Sequence, residues 1–451
     1  MVVADRHSRS GALPRLSSRS AALLIPLAFA AAALAARALM PSVPARFEID
    51  LAAPLVVVTN WGAFGAVLFG VLFLALGGAS LAYRSLVCRR TPLSLAALAT
   101  LSGLAIAAAW CAPVLFSSDV YAYAAYGELA RLGIDPYLLA PVHRSDPLLG
   151  AAAWQWGNAI PMCIYGPAFV GLSRAIVTTF APFGTLAQLD ALRLLASAAF
   201  VFCARLAYAA FPGDRRARLG AAATIALNPL AIWCAAEGHN DAIALAIVLA
   251  GFALTQRGFF GVGPAVIAFS ALVKVPGALA ALAVATLHRR FRVGAAVGIG
   301  LAGLLSIPLL VGVATRLAPQ GHYTAQASLQ AIVEPLGPLV ALLAAAGIAA
   351  VLAANGIRRL RCGQIEGWLW LGLAVWVLIP NPYPWYGIWL VALAALAPRS
   401  RAANVAILLS FVAVLRYVPD AIGMPSAALG VILGLVAASP LLGLRYNERL
   451  A

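Results

Sequence analysis

Asp119 stands directly beyond a long apolar run, at the start of residues 117–137, SSDVYAYAAYGELARLGIDPY. A lone carboxylate at a membrane edge is expensive to hold unless water, a partner or a substrate compensates it. Asp119 is therefore a candidate functional residue. If the stretch is helical, Asp119, Tyr123 and Tyr126 fall at i, i+4 and i+7 on one face, and Tyr137 lies in the turn beyond. Glu128 falls on the opposite, solvated side, with Arg131 as its expected partner. The plainer alternative for Asp119 is a solvated helix cap. A second group, Glu237-Gly238-His239-Asn240-Asp241, is squeezed between apolar runs. One polar residue would cap the next helix, but four polar side chains exceed that need. A metal site is conceivable from Glu, His and Asp, but no His-x3-His or Cys spacing supports one, and no cofactor is expected. Third, Lys274, just ahead of Pro276, is the single lysine among 31 basic residues. Buried lysine readily loses its proton unless an anion sits beside it, and phosphate suits such a point charge. A looser aromatic group comprises Trp154, Trp156, Tyr165-Gly166-Pro167, His322, Tyr323 and the turn from Pro380 to Tyr386, which includes Tyr383. Such residues serve as membrane-belt anchors or as walls for sugar rings.

The elements that must position these residues are membrane helices. With 63% hydrophobic and 10% charged residues in 451, against roughly 25% charged in soluble chains, the chain is an all-α polytopic membrane protein. A formal charge of +16 would suggest nucleic acid in a soluble protein, but no nucleic-acid module is present and the arginines sort by membrane side. Apolar runs predict spans at 20–40, 61–83, 94–116, 186–211, 219–236, 242–256, 259–273, 275–287, 293–313, 335–354, 368–380, 385–396, 402–415 and 422–441. Several fall short of the roughly 20 residues of a simple span, so short, broken helices are expected in the second half. About 14 transmembrane helices place every arginine cluster on the cytoplasmic side with both termini of the chain, in a cytoplasmic (inner) membrane. The N-terminal arginines precede an uncleaved first helix. Residues 166–182, carrying Arg174, break the parity if they cross, and are expected as a re-entrant or interfacial helix on the outer side. Eleven of the 15 acids then lie outside, where the long loop 117–165 sits, so the chemistry is expected to be extracytoplasmic. The six cysteines form no CxxC pair and read as small core residues or spare thiols, with a Cys111–Cys163 disulfide as the alternative.

These residues carry a resemblance. DVYAYAAYGELARLGIDPY from Asp119, YGP at Tyr165, NPL at Asn228, EGHNDA at Glu237 and KVP at Lys274, in that order on the outer side, resemble the polyprenol-phosphate-mannose-dependent α-mannosyltransferases of the GT-C superfamily. The resemblance implies a GT-C-like transmembrane catalytic domain over 94–451, preceded over 1–93 by a cytoplasmic tail and two additional helices. It implies a hexosyl transfer, of mannose, from a polyprenyl-phosphate sugar donor to a glycan or lipid-linked acceptor, with the lipid bilayer as surroundings. Asp119 matches the catalytic base, although Ser118 and Val120 flank it in place of a second acid, which favours a metal-independent reaction. Lys274, helped by Arg174 or Arg193, would stabilise the leaving phosphate; an i, i+3 pair with Asp190 is the alternative for Arg193. Glu237, His239, Asn240 and Asp241 would bind sugar hydroxyls or orient the acceptor, with Tyr123, Tyr126, Tyr137, Tyr165, His322 and Tyr383 as further substrate contacts. A transporter or flippase, or a ligase or polymerase of lipid-linked glycans, shares the charged, broken helices, but no repeated hydropathy pattern supports paired transporter halves.

Overall fold

The computed structural model describes residues 17–39, 63–89, 93–112, 114, 117, 119–138, 140–141, 145–150, 159–160, 162–316, 325, 327–421, 434–436 and 438–441. Trp154, Trp156, His322 and Tyr323 lie outside the described residues, as does most of the expected span 422–441. In chain order the helices are α1 (Ser18–Leu39), α2 (Ala63–Arg89), α3 (Leu95–Trp110), α4 (Asp119–Arg131), α5 (Pro167–Phe180), α6 (Thr185–Ala210), α7 (Arg215–Ala226), α8 (Pro229–Ala236), α9 (Asp241–Gln256), α10 (Val262–Phe269), α11 (Pro276–Leu287), α12 (Arg292–Leu305), α13 (Ile307–Arg316), α14 (Leu329–Val333), α15 (Pro338–Arg361), α16 (Glu366–Leu378), α17 (Gly387–Leu396) and α18 (Arg401–Ala421). The only pairing of extended backbone among the described residues is a two-residue antiparallel contact, Ala140–Pro141 with Ala159–Ile160. The described residues are predominantly helical and apolar, as a membrane protein requires.

Capping chemistry sets many of the boundaries. Ser94 accepts from the Ala97 N–H at 3.1 Å to open α3, and Asp214 accepts from Ala217 at 2.7 Å to open α7. Asn228 caps α8 by accepting from Ala231 at 3.1 Å, and Pro229 at the first helical position needs no donor. That Asn-Pro step breaks the expected span 219–236 into two helices bent by 54°. The expected span 293–313 is likewise split at Ser306, and 259–273 ends in a short 3-10 turn, Ser270–Leu272. Among the described residues four helices are long and apolar enough to cross a membrane alone, five if α7 and α8 form one span, with six shorter apolar helices beside them. Helix length therefore does not reproduce a count of fourteen, because Pro, Gly and polar caps interrupt the apolar runs.

The last carbonyls of α8 find side-chain donors, as buried backbone must. Ser197 Oγ donates to Ala235 O at 3.0 Å, and Arg193 Nε donates to Ala236 O at 2.8 Å. Helix direction then sorts charge. α9 starts at Asp241 and ends before Arg257, α11 follows Lys274 and ends before Arg289, and α7 starts beside Asp214 while α8 ends at Glu237. The polar cluster thus sits at one end of the bundle and the arginine-rich turns at the other. Cys111 and Cys163 are both free thiols, so the suggested disulfide is absent; Cys163 is buried, with its sulfur accepting from the Tyr165 N–H at 3.4 Å.

Candidate active site

Asp119 opens α4, its side chain 16% exposed. The i, i+4 spacing does what the sequence suggests: the Tyr123 hydroxyl lies 3.2 Å from Asp119 Oδ2. The same hydroxyl lies 3.2 Å from the Asn240 amide oxygen. It has one proton to give, so both contacts are satisfied when Tyr123 donates to Asp119 and the Asn240 amide turns to donate to Tyr123. Burial, then the nearby Asp119 carboxylate, hold the Tyr123 phenol well above its ordinary pKa, which keeps it a donor. Tyr126 packs its ring against Tyr165, centroids 6.1 Å apart. Tyr137 donates to Tyr165 O at 3.1 Å and so supports the site from behind.

Asn240 is the cap residue of α9 yet makes no side-chain cap bond, and Asp241, the first residue of that helix, is fully buried. One Asp241 oxygen accepts from Lys274 Nζ at 2.6 Å, and the other accepts from Trp389 Nε1 at 2.6 Å. Lys274 is only 9% exposed, with its ammonium 5.8 Å from the Tyr165 ring and 5.5 Å from the Tyr386 ring, within cation–π range. Gly166 makes this possible. Its N–H donates to Val273 O at 3.1 Å, and a Cβ there would lie 2.2 Å from Leu272 O, so only glycine lets the Tyr165-Gly166-Pro167 turn lie against the backbone before Lys274.

His239 joins the two sides. Its Nδ1 is 3.5 Å from Asp119 Oδ2, and its ring stacks on Trp385 at 4.8 Å, which stacks on Tyr383 at 4.5 Å. Burial, partly opposed by Asp119, holds the imidazole pKa below its ordinary 6.5. Gly238, at φ +87°, turns the chain where its added Cβ would meet Arg193 and Val120, tucking the Glu237–Asp241 link under α4. Glu237 is buried in that link.

Other predicted residues stand apart from this cluster. Arg193 is occupied with Ala236 O, with Asp190 at 3.2 Å and with the Trp110 ring at 4.5 Å; it holds the end of α8. Arg174 is exposed on α5 and makes no side-chain bond to the cluster among the described residues. Glu128 does pair with Arg131, but it is buried rather than solvated, with Asp146 from beyond the helix as a second neighbour. Among the described residues no group of three or more His, Cys, Asp or Glu is placed to hold a metal ion. Tyr386 belongs to the aromatic turn that the sequence had marked, whereas Trp389 and Arg416 were not singled out. Trp389 looks like a belt aromatic, and Arg416 could have been noticed as an arginine outside every cytoplasmic cluster.

A bundle of apolar helices, with a carboxylate, an imidazole and a lysine ion pair gathered at one end, is a polytopic membrane protein with an enzyme-like polar site. Residues 20–290 match the family described as "Alpha-(1->6)-mannopyranosyltransferase, N-terminal domain", more than half the chain, and the protein belongs to that family. It is 32% identical over 179 residues to "Alpha-(1->6)-mannopyranosyltransferase A" of Mycobacterium tuberculosis, covering 38% of this chain and 34% of that protein. It is 29% identical over 364 residues to "Alpha-(1->6)-mannopyranosyltransferase B" of Corynebacterium glutamicum, covering 64% and 58% respectively. The chain thus spans less than two thirds of either relative. No solved structure matches it.

Proposed function

We propose that this protein is a mannosyltransferase that moves mannose from a polyprenyl-phosphate donor to a glycan or lipid-linked acceptor, in the α-(1→6) manner its relatives are named for. The observation that carries it is at the start of α9. Two successive side chains that could serve as caps are turned elsewhere, Asn240 to the Tyr123–Asp119 side and Asp241 to Lys274 and Trp389. Neighbouring residues are about 3.8 Å apart along the chain, so a base and a phosphate-binding cation lie within reach of one sugar.

Asp119 takes the proton of the acceptor hydroxyl as that oxygen bonds to the anomeric carbon. The bond from that carbon to the phosphate oxygen breaks, and the phosphate leaves with the electron pair. Tyr123 orients the carboxylate, and neutral His239 beside it adds no competing charge. Lys274 spends one N–H on Asp241 and has two left for phosphate oxygens. The 2.6 Å contact with Asp241 holds the ammonium in place at the cluster. The Tyr383–Trp385–His239 stack offers flat faces for sugar rings.

About fourteen crossings, both termini cytoplasmic and the site on the outer face of the inner membrane follow from placing the arginine-rich end inside. α5, at 14 residues or roughly 21 Å, is then an interfacial helix. In membranes supplied with polyprenyl-phosphate mannose, Asp119→Asn is expected to abolish transfer with expression intact. Wild-type turnover in that variant would overturn the assignment.

A further inference from the structure

The family match ends at residue 290, yet the cluster takes Trp385, Tyr386 and Trp389 from beyond it. Trp385 stacks on His239, Tyr386 faces Lys274, and Trp389 donates to Asp241. One segment therefore touches both the carboxylate side and the cation side. Its turn, Pro380 to Pro384, contains three prolines, which carry no N–H and so cannot tie the turn down through their own backbone donors.

Arg416, on α18, does that from outside the turn. It is 4% exposed. Its guanidinium donates to Pro382 O and, at 2.7 Å, to Asn381 Oδ1. A buried guanidinium with its planar fork is costly to place and geometrically demanding, and both of these bonds go to the turn that leads into Trp385. We propose that Arg416 is a positioning residue: through Asn381 and Pro382 it sets Trp385 against His239 and Tyr386 against Lys274. This rests on the mannosyl-transfer reading. It adds that the reaction depends on a residue 126 positions beyond the matched region (416 against 290).

The test combines turnover with amide hydrogen exchange of the full-length protein. A displacement of about 1 Å in a positioned group costs on the order of 10²-fold in rate. Arg416→Met is expected to lose about that much in kcat, with the donor KM within about twofold. Arg416→Lys, which keeps the charge but not the fork, and Asn381→Ala, which removes one partner, should fall between; they also serve if Arg416→Met does not fold. In a Trp385→Ala/Tyr386→Ala background, loss of Arg416 should cost nothing further, because both of its routes to the site are already cut. Exchange in 380–389 should rise in Arg416→Lys. Multiplicative losses in the two backgrounds, or unchanged exchange in 380–389, would overturn the proposal. If the wild type transfers no mannose, the exchange result still decides the positioning role, so the two failures are distinguishable.

Discussion

Separating Lys274 from Asp241 is the sharpest perturbation the structure offers. Asp241 is fully buried and has two donors, Lys274 and Trp389, each at 2.6 Å. Lys274→Met leaves a buried carboxylate with one N–H, and breaking a buried pair from one side costs about 3–5 kcal/mol. Asp241→Asn keeps the Trp389 bond and strands an ammonium whose side chain is 11% exposed and still faces two rings, which points to the lower end, about 3 kcal/mol. The double variant strands no charge. Its destabilisation should fall short of the sum of the single effects by roughly 1–3 kcal/mol, the coupling of residues in direct contact. Unfolding of the purified proteins in detergent measures all three. A second readout is ligand stabilisation: polyprenyl phosphate at 100 times its Kd should stabilise the wild type by about 2.7 kcal/mol and Lys274→Met by much less. Additivity within about 0.5 kcal/mol, or equal ligand stabilisation in both, would refute the ion pair and the phosphate role respectively.

Two further outcomes follow from the geometry. Because His239 is held below its ordinary pKa of 6.5, the unfolded chain takes up a proton before the folded one does as pH falls. The stability owed to neutral His239 is therefore complete above about pH 6.5 and is lost below it. Unfolding followed from pH 7.5 down to 5 should show a decline that His239→Gln flattens, and parallel curves would contradict the burial. Gly166→Ala forces a Cβ to within 2.2 Å of the Leu272 carbonyl. It should cost about 1–3 kcal/mol or more and weaken the Tyr165–Lys274 contact, read as a lower melting temperature; an unchanged one would count against that packing.

The parts of the site legible in sequence were the local ones. The Asp119–Tyr123 contact is four residues long, a spacing any helix enforces. The broken span at Asn228-Pro229 was foreseeable in kind, since Pro removes a donor and Asn supplies a cap. What composition and spacing could not show is pairing at a distance: Lys274 with Asp241 across 33 residues, Trp389 with Asp241 across 148 and Arg416 with Asn381 across 35. Tertiary packing alone decides these. Trp389 was hidden by the ordinary frequency of tryptophan at membrane interfaces, and Glu128 was placed on the solvated side because helical phase says nothing about which neighbour covers a face. Asn240 shows how a local rule yields: its position is a cap position, but a tyrosine hydroxyl bound to a carboxylate has the stronger claim on its amide.

The solitary lysine makes the site self-reporting. A chain with 31 basic residues presents one side-chain amine, and that amine lies at the cluster, part-buried and tied to Asp241. A small amine-selective reagent therefore has a single side-chain amine to modify, and its rate of attachment, read on the peptide that carries Lys274, reports the occupancy of the cluster. Ligand screening can proceed by mass shift on one tryptic-resistant position, without a radioactive sugar, a purified acceptor or an engineered label.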